Sequence, residues 1–514
     1  MIPTSSKPQA QTFDVATLFR EVMLARTRVY RVAPPTPMEI HSMEGDWRML
    51  LKREDLSEIH SYKWRGAFNF ISARVAEAKA QGVVAASAGN HAQGVAKSAA
   101  ILGVKAHLFM PKSAQRLKVE SVARLGGDLT KIHQVGDSYD EAAEAAHSFA
   151  EETGCLYAPP YDDVLVMAGQ GVLADEMMTT PDRPDVVFVQ IGGGGLAAGV
   201  ATVLKSYDSR TRVIGVEAEG QASMAAAFQA GQPVPLAKVD IFCDGTAVKK
   251  AGHLTYPILK ELLDDLIVVS TQEVVAAIEE LWRVARVLPE PSGAMGLAAA
   301  RRWSGDLAGL NVGVILSGAN LDFRRLGQIS KSIDASTGRA VYYQVTLPER
   351  RGMMLAFLTA IKPLGLNISH LMVGQTEADL AYPIIGFEGD QPRIQALEGL
   401  MIQNGYEFKD VSNRPDLPFR VAPFQPSFFQ FPFAAILNFP ERPGALTEFL
   451  ERIAALTNIS YFNYVHSGEQ VGRALAVFCF DNLTNRERFL ADLQANGPSF
   501  TDLAQDTINA LGLG

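Results

Sequence analysis

Lys63 is flanked by two aromatic residues, Tyr62 and Trp64, in the segment SYKWRGA (61–67), and Arg65 follows two positions later. An amine in this setting could form an imine with an aldehyde. It must then be partly unprotonated, although the reference pKa of lysine is about 10.4. Apolar surroundings and a neighbouring cation both lower the pKa of an amine, and Tyr62, Trp64 and Arg65 are candidates for those roles. The alternative is an ordinary lysine on a solvated surface.

A run of four glycines in IGGGGLAAG (191–199) directly follows the apolar segment DVVFVQ. Because glycine has no Cβ, the backbone of this run can approach an anion closely. A helix predicted to begin at Leu196 would offer its free N–H groups to a phosphate. The run matches neither GxGxxG nor the GxxxxGK loop, so a phosphate site is favoured over a nucleotide site. The alternative is a tight crossover without a ligand.

Two further segments, SAGNHAQG (87–94) and SGAN (317–320), also follow apolar runs that are typical of strands. Backbone N–H groups around Ser87 and Gly89 could bind a carboxylate, and the Asn90 amide could donate a hydrogen bond to a ring oxygen. The Ser317 hydroxyl could face a ligand. Each segment alone is explained equally well or better as a helix cap. Together with Lys63 and the glycines, they form the set of groups that a phosphorylated aldehyde cofactor requires.

The elements that must position these residues alternate from about residue 13 to residue 328. Five short apolar runs end at Gly, Ser or Pro and are predicted to be buried parallel strands: GVVAAS (82–87), AHLFMP (106–111), DVVFVQIG (185–192), RVIGVEAE (212–219) and VGVILSG (312–318). Ala-rich stretches between them predict helices, such as 138–154, with Ser138 as N-cap and Gly154 as the stop. The pattern predicts an α/β fold with open, twisted, mostly parallel sheets and ligand sites at the carboxyl ends of the strands.

The last third of the chain contains a duplicated pattern, in which LPERRGMMLAFLTAI (347–361) returns as FPERPGALTEFLERI (439–453). The matching residues are 92 positions apart, whereas NIS at 367–369 recurs 91 positions later, at 458–460. The repeats predict two βαββαβ units separated by the Pro/Phe-rich segment 417–433. Such a pair behind an enzyme-like sheet indicates regulation, and the alternative is a purely structural dimerisation module.

The composition restricts the class of protein. The chain has 514 residues, of which 47% are hydrophobic and 20% charged, and a net charge of −9 without any Lys/Arg-rich block. This acidic balance argues against a nucleic-acid partner, and no apolar run approaches the ~18 residues of a transmembrane span. The polar start predicts no signal peptide, and three widely spaced cysteines fit a reducing, cytoplasmic setting. We expect no membrane partner and no metal site.

Taken in order, these motifs resemble the pyridoxal-phosphate enzymes of the tryptophan-synthase-β type (fold type II), and most closely the biosynthetic threonine deaminase, or threonine dehydratase, family. The resemblance runs from about residue 13 to the C-terminus. It includes LKRED (51–55), SYKWRGA, SAGNHAQG, AGQG (168–171), GGGGLAAG, VEAE (216–219), EPSGA (290–294), SGAN and both repeats. It implies a flexible tail over 1–12, a catalytic domain over 13–328 and a linker over 329–340. Two ACT-like domains of ferredoxin-like α+β type would follow over 341–425 and 430–514.

The resemblance also implies roles for individual residues. Lys63 would hold pyridoxal 5′-phosphate as a Schiff base and act as the catalytic base. Asn90 would contact the 3′-oxygen of the ring, and Ser317 would meet the pyridine nitrogen. The implied phosphate-binding residues are Gly192, Gly193, Gly194, Gly195 and Leu196, and the implied substrate-binding residues are Ser87, Ala88 and Gly89.

The implied reaction converts L-threonine, with L-serine as an alternative substrate, to 2-oxobutanoate and ammonia, the first committed step of isoleucine biosynthesis. The family implies inhibition by L-isoleucine, relief by L-valine and a cytoplasmic homo-tetramer. Gly352 and Gly444 lie where a strand is predicted to turn into a helix, so their backbone N–H groups could receive an effector carboxylate. Tyr464 in the second repeat is the third implied regulatory residue.

Three features depart from the family's pattern. Trp64 replaces a smaller aliphatic residue, and Asp244 stands where a Glu is common. The first repeat has SHLMVGQTEADL (369–380), without the Phe-Asn-Tyr that the second has in SYFNYVHSGEQVGR (460–473), so an isoleucine site built from both repeats is in question. The double repeat argues against serine dehydratase, serine racemase and cysteine synthase. The intact Lys63 and Ser317 argue against an amino-acid sensor with an inactive core.

Overall fold

The computed structural model describes the following residues: 14–114, 116–322, 325–327, 329, 340–412, 414, 425, 431–440, 445–453, 456–465, 471–496 and 499–503. The chain divides into two compact units, Met1–Ile329 and Ser330–Gly514. The predicted tail (1–12) and nearly all of the predicted linker (329–340) and separating segment (417–433) lie outside the described residues. Within the described ranges, no helix has the length and apolar character needed to cross a membrane.

The N-terminal unit alternates helices and strands. Its helices are α1 (Val15–Val29), α2 (Lys63–Ala73), α3 (Val75–Gln81), α4 (Asn90–Leu102), α5 (Arg116–Gly126), α6 (Tyr139–Thr153), α7 (Val164–Met178), α8 (Gly195–Tyr207), α9 (Ser223–Ala230), α10 (Thr255–Leu262), α11 (Thr271–Ala285) and α12 (Pro291–Arg302). Its strands are β1 (Met38–Met43), β2 (Trp47–Arg53), β3 (Val83–Ala86), β4 (Ala106–Met110), β5 (Thr130–Gln134), β6 (Leu156–Tyr157), β7 (Val186–Gln190), β8 (Arg212–Ala218), β9 (Asp265–Val269) and β10 (Asn311–Leu316). All five predicted strands are present, as β3, β4, β7, β8 and β10.

These strands form two sheets rather than one. The large lobe contains a six-stranded sheet in the order β1-β2-β10-β7-β8-β9, and the small lobe a four-stranded sheet in the order β5-β4-β3-β6. Every pairing is parallel except that of β1 with β2, which confirms the prediction of mostly parallel sheets. The antiparallel edge strand β1 was not predicted. The carboxyl ends of β3, β7 and β10 carry the three loops in which the sequence places ligand contacts.

Helix α6 illustrates how local sequence determines an element. Ser138 accepts a hydrogen bond from the Glu141 backbone, while the Glu141 side chain accepts one from the Ser138 backbone, forming a capping box. The helix ends at Gly154, which has the left-handed φ of 74° that glycine adopts most readily. Both predicted ends of this helix are therefore confirmed.

The C-terminal unit contains two βαββαβ repeats. Its strands are β11 (Ala340–Pro348), β12 (Asn367–Gly374), β13 (Leu380–Ala381), β14 (Ile384–Glu388), β15 (Glu407–Asp410), β16 (Phe433–Pro440), β17 (Asn458–Val465), β18 (Val471–Cys479) and β19 (Ser499–Asp502). Its helices are α13 (Met353–Ile361), α14 (Gln391–Gln403), α15 (Ala445–Ile453) and α16 (Leu483–Asn496). The strand orders β15-β11-β14-β12 and β19-β16-β18-β17 are equivalent, as the duplicated sequence predicts.

The two repeats join into one nine-stranded sheet because β12 pairs antiparallel with β17. At the centre of this pairing Met372 lies opposite Asn463, and these residues are themselves 91 positions apart, like the two NIS segments. The repeats are therefore related by an approximate two-fold axis at this pair. One hydrophobic cluster spans both repeats and includes Phe357 and Phe387 from the first and Phe449 and Phe478 from the second.

Candidate active site

A cavity of about 270 Å³ lies at the carboxyl ends of β3 and β7. Its lining includes nearly every residue that the sequence singled out: Lys63, Ser87, Ala88, Gly89, Asn90, Gly192, Gly193, Gly194, Gly195 and Leu196. The lining also includes residues that the sequence did not single out for the site, among them His91, Lys118, Tyr161 and Glu290. Asp244, which departs from the family's pattern, lines the cavity as well. The folded chain thus brings three of the four distant motifs to one site.

Lys63 is the first residue of α2, and its ammonium group reaches into the cavity. Its Nζ donates a 3.0 Å hydrogen bond to the Pro160 carbonyl and lies 5.5 Å from the centroid of the Tyr62 ring. Loss of hydration lowers the pKa of Lys63 to about 8, against the opposing influence of the Glu290 carboxylate. Lys63 therefore has a much larger unprotonated fraction at neutral pH than a lysine in water, as imine chemistry requires.

Arg65 does not have the role that the sequence suggested. It is completely buried, where its Nε donates to Glu54 over 2.8 Å and its Nη1 to Glu176 over 2.6 Å. Lys52 also contacts Glu176, so two cations and two carboxylates neutralise one another in the interior. The prediction that Arg65 lowers the pKa of Lys63 is therefore wrong, because its charge is already matched. The network instead fixes the start of α2, and with it Lys63.

The glycine loop is packed tightly against Tyr161, another residue that lines the cavity. A Cβ on Gly193 would lie 2.3 Å from the ring of Tyr161, and Gly194 has a left-handed φ of 99°. Helix α8 begins at Gly195, one residue before the predicted start, so its first N–H groups lack acceptors within the helix and lie at the cavity wall. The helix dipole adds to their attraction for an anion. These features fit a bound phosphate.

The loop before α4 forms the opposite wall. The Ser87 backbone N–H donates to the Phe109 carbonyl over 3.1 Å, and the Gly89 N–H donates to Ser87 Oγ over 3.1 Å. A Cβ on Gly89 would meet no atom within 4 Å, so this glycine borders open space. Helix α4 begins at Asn90, and its N-terminus gives the loop a positive dipole end suited to a carboxylate.

Glu290 is a site residue that the sequence analysis missed. It is 4% exposed, and it accepts hydrogen bonds from Asn90 Nδ2 over 2.8 Å and from the Asn320 backbone over 3.2 Å. Burial raises the pKa of Glu290 to about 7, and Asp244 acts in the same direction. The only local signal is the segment EPSGA, in which Pro291 is the first residue of α12 and makes Glu290 its N-cap.

His91 is buried and lines the cavity. Its Nε2 lies 2.9 Å from the Ala158 carbonyl, so this nitrogen carries a hydrogen and donates. Burial lowers the pKa of His91 to about 3, and the positive charge of Lys63 acts in the same direction. His91 is therefore neutral and holds the start of α4 against the segment before α7.

Ser317 is not among the residues that line the cavity, although it is buried directly beside them. Its carbonyl accepts a 3.0 Å hydrogen bond from the backbone of Tyr62, the residue before Lys63. Ser61 and Gly318 form a bridge at the same point. The end of β10 thus supports the turn that presents Lys63, and contact of the Ser317 hydroxyl with a ring nitrogen stays a prediction.

The implied regulatory residues lie in the C-terminal unit. Gly352 precedes α13 with a left-handed φ of 79°, and a Cβ there would meet no atom within 4 Å. Tyr464 lies in β17 opposite Leu371 of β12, at the junction of the two repeats. Gly444 is outside the described residues. Within the described ranges, no group of three His, Cys, Asp or Glu side chains could hold a metal ion.

The chain matches two known families over most of its length. Residues 30–318 match the family described as pyridoxal-phosphate dependent enzyme. Residues 434–512 match the family described as the C-terminal regulatory domain of threonine dehydratase. The first match lies within the N-terminal unit, and the second covers the second repeat of the C-terminal unit.

Two curated relatives align with most of this chain. The biosynthetic L-threonine dehydratase IlvA of Salmonella typhimurium is 37% identical over 489 residues, which cover 92% of this chain and 93% of that protein. The mitochondrial threonine dehydratase of Saccharomyces cerevisiae is 32% identical, with 95% of this chain and 88% of that protein covered.

Solved structures resemble the N-terminal part of the chain. The processed form of threonine deaminase isoform 2 from Solanum lycopersicum aligns with a TM-score of 0.58 and 35% identity, covering 65% of this chain and 99% of that chain. Maize serine racemase aligns with a TM-score of 0.56 and 32% identity, covering 60% of this chain and 95% of that chain. From the cavity, the motifs and these relatives together, the chain belongs to the threonine dehydratase family of pyridoxal-phosphate-dependent enzymes.

Proposed function

We propose that this enzyme uses pyridoxal 5′-phosphate to convert L-threonine to 2-oxobutanoate and ammonia, the entry step of isoleucine biosynthesis. The observation that carries the proposal is the position of Lys63, an amine with a pKa of about 8, between the glycine loop and the Asn90 loop of one cavity. A phosphorylated pyridine aldehyde needs an amine, an anion site and a donor to its ring oxygen, and these residues supply all three.

Each group of the cofactor would have its own partner. Lys63 would carry the aldehyde carbon, and the N–H groups from Gly192 to Leu196 would hold the phosphate. Asn90 would donate to the ring oxygen through the hydrogen that it does not give to Glu290. Ser317 would present a hydroxyl to the ring nitrogen, which, unlike a carboxylate, does not favour a proton there. When bound, the cofactor supplies a conjugated ring that takes up the electron pair left by the Cα proton.

The remaining steps belong to residues of the chain. Ser87, Ala88 and Gly89 would bind the substrate carboxylate through their loop and the N-terminus of α4, which fixes the Cα hydrogen relative to Lys63. The Lys63 amine, once released, would remove that proton as general base, and its lowered pKa suits this task near neutral pH. The β-hydroxyl then takes up a proton and leaves as water, which balances the proton removed from Cα. A water molecule hydrolyses the released product to 2-oxobutanoate and ammonia.

The C-terminal unit would bind amino-acid effectors, with L-isoleucine as the inhibitor and L-valine relieving it. Gly352, Gly444 and Tyr464 are the proposed effector residues. Inhibition requires that isoleucine bind a low-activity arrangement better than the active one. We further propose a cytoplasmic homo-tetramer, with two predicted ACT-like domains, 341–425 and 430–514, in each chain and a catalytic domain over 13–328.

One experiment tests the proposal. Keto-acid release from the purified, yellow enzyme is measured with L-threonine or L-serine, each with and without millimolar L-isoleucine. Threonine turnover that isoleucine suppresses is the expected result. Turnover indifferent to isoleucine would remove the effector assignment and leave the reaction. Absence of threonine turnover in protein that binds the cofactor would refute the substrate, and turnover of serine alone would replace it.

A further inference from the structure

Asp244 holds two cations from different parts of the N-terminal unit. Its Oδ2 lies 2.6 Å from Lys118 Nζ, and its Oδ1 lies 3.5 Å from Arg325 Nη1. Lys118 belongs to α5 of the small lobe, whereas Asp244 belongs to the loop between α9 and α10 of the large lobe. Both residues line the cavity. The pair therefore connects the two lobes at the wall of the site.

The loop that carries Asp244 is held firmly against the site. A Cβ on Gly245 would lie 2.9 Å from Ser292 Oγ and 3.0 Å from Glu290 Oε1. Thr246 Oγ1 donates a 2.9 Å hydrogen bond to the buried Gln221 side chain. Because no space separates this loop from Glu290, a displacement of Asp244 would also displace Glu290 and its partner, Asn90.

Arg325 is fixed on the other side of Asp244. Its Nη2 donates a 2.8 Å hydrogen bond to the Phe242 carbonyl, and its guanidinium carbon lies 5.6 Å from the centroid of the Phe242 ring. Arg325 lies in a helical turn (325–327) shortly before Ile329, the last residue of the N-terminal unit. The chain then continues into the C-terminal unit. Arg325 therefore links the loop that carries Asp244 to the end of the N-terminal unit.

We propose that Asp244 is a positioning residue that ties Lys118 of the small lobe to Arg325 near the end of the N-terminal unit, so that the placement of Arg325 sets how tightly the cavity holds its substrate. Lys118 and Asp244 also have opposite effects on Glu290, since Asp244 favours its protonated form and Lys118 its ionised form. Moving either charge therefore changes the protonation of the Glu290 carboxyl group, which orients Asn90. The proposal rests on the proposed function through its substrate, L-threonine.

The test uses the full-length holoenzyme and the variants Arg325→Gln, Lys118→Gln and the double variant. Threonine affinity is measured both as KM and as the half-saturation of the absorbance change of the bound cofactor. We expect Arg325→Gln to raise both values about three- to tenfold with kcat within about twofold, because within the described ranges the ion pair of Arg325 with a lining residue is the one with Asp244. The double variant should bind threonine no more weakly than the single variant with the lower affinity, because both substitutions interrupt the same series of contacts through Asp244.

Lys249→Gln is the matched control. Lys249 lies 3.6 Å from Asp140 and also joins the two lobes, but both side chains are more than half exposed. It should leave KM unchanged, and Arg325→Lys should restore most of the affinity. If Arg325→Gln does not fold, Asp244→Asn takes its place, with the same expected rise in half-saturation.

The proposal would be overturned if Arg325→Gln bound threonine as well as Lys249→Gln does. It would also be overturned if the increases in half-saturation of the two single variants multiplied in the double variant, because the two residues would then act independently. A wild type that binds threonine without turnover would refute the proposed reaction, whereas the absorbance titration would still decide the role of Asp244.

Discussion

The side-chain amide of Asn90 donates a 2.8 Å hydrogen bond to Oε1 of Glu290, although the two residues are 200 positions apart. The amide oxygen of Asn90 in turn accepts a 2.8 Å hydrogen bond from Asn320 Nδ2. Both ends of the amide are therefore fixed, and one N–H remains for a ligand. A residue chosen from the sequence for its own chemistry is oriented by a carboxyl group that the sequence did not single out.

Replacing Glu290 by Gln should change how stability depends on pH. The folded-state pKa of about 7 lies above the model value of 4.5, so the folded protein binds more protons than the unfolded chain between these values. The free energy of unfolding therefore falls as pH rises from about 4.5 to about 7, by up to about 3 kcal/mol from this group. Glu290→Gln should remove that fall.

The measurement is chemical unfolding at several pH values on protein stripped of cofactor. Because Glu217 and His91 also titrate abnormally in this range, the quantity to compare is the difference between wild type and variant at each pH. A difference that stays constant from pH 4.5 to pH 7 would show that Glu290 ionises normally in the folded chain.

Replacing Lys63 by Ala should abolish keto-acid release, with a loss of about 10³-fold or more, because no other group takes over both the attachment and the general-base role. In wild type, borohydride should fix the cofactor to the protein, and mass spectrometry should find it on Lys63. Lys97, whose amine contacts Glu58, is a suitable control, and Lys97→Ala should retain activity. Cofactor fixed at another lysine would contradict the assignment.

Replacing Arg65 by Met should lower the free energy of unfolding by about 3–5 kcal/mol, because Glu54 and Glu176 would be left with Lys52 as their only cation. Denaturant unfolding measures this loss. The control is Arg116→Met, which breaks an exposed ion pair with Glu120 and should cost about 0.5 kcal/mol or less. Equal effects of the two substitutions would mean that the buried network adds no stability.

Replacing Gly193 by Ala should weaken cofactor binding, because the added methyl group would meet the Tyr161 ring at 2.3 Å. Overpacking of about 1–3 kcal/mol corresponds to a rise in the cofactor Kd of about 5- to 150-fold. Fluorescence titration of stripped protein with pyridoxal phosphate measures this Kd. Gly399 in α14 has open space at the Cβ position, so Gly399→Ala should leave the Kd unchanged. An unchanged cofactor Kd in Gly193→Ala would show that the packing of Gly193 against Tyr161 does not restrict cofactor binding.

The effector proposal predicts that the two repeats contribute unequally to isoleucine binding. Tyr464→Leu should raise the isoleucine concentration for half-inhibition about fivefold or more, because a site contact of about 1 kcal/mol or more is removed. Val373 is the residue at the equivalent position of the first repeat, and Val373→Ala should change that concentration much less. Threonine turnover without isoleucine should remain within about twofold of wild type in both variants. Equal shifts in the two variants would assign the effector to both repeats.

Local sequence was sufficient for the five predicted strands and for many of the residues that border the cavity. The runs that end at Ser87, Gly192 and Gly318 form strands β3, β7 and β10 in the structure, and the caps of α6 lie where the hydrogen-bonding side chains require. These features depend on periodicity and on contacts within a few residues, which a sequence displays directly.

Features that depend on distant partners could not be predicted in this way. Arg65 has the same neighbours in sequence whether its charge acts on Lys63 or is matched by Glu54 and Glu176, and Glu176 lies 111 residues away. From local sequence Glu290 is predicted only to cap a helix, because its contact with Asn90 is visible only in the folded structure. The pairing of β12 with β17 depends on contacts between the two repeats. The 91-residue offset aligns the repeats in sequence but does not show which of their strands pair.

The junction at Met372 and Asn463 also has a consequence for how the regulatory half can evolve. Two separate copies of one module would have to find each other in solution, and each substitution would appear on both sides of their interface. Tethering in one chain gives the copies a high effective concentration, so their pairing does not depend on the amount of protein. Each copy can then change independently, so that one can keep a ligand site while the other only supports its structure. The first repeat has His370, Leu371 and Met372 where the second has aromatic and amide residues, as expected for a copy that has taken the supporting role.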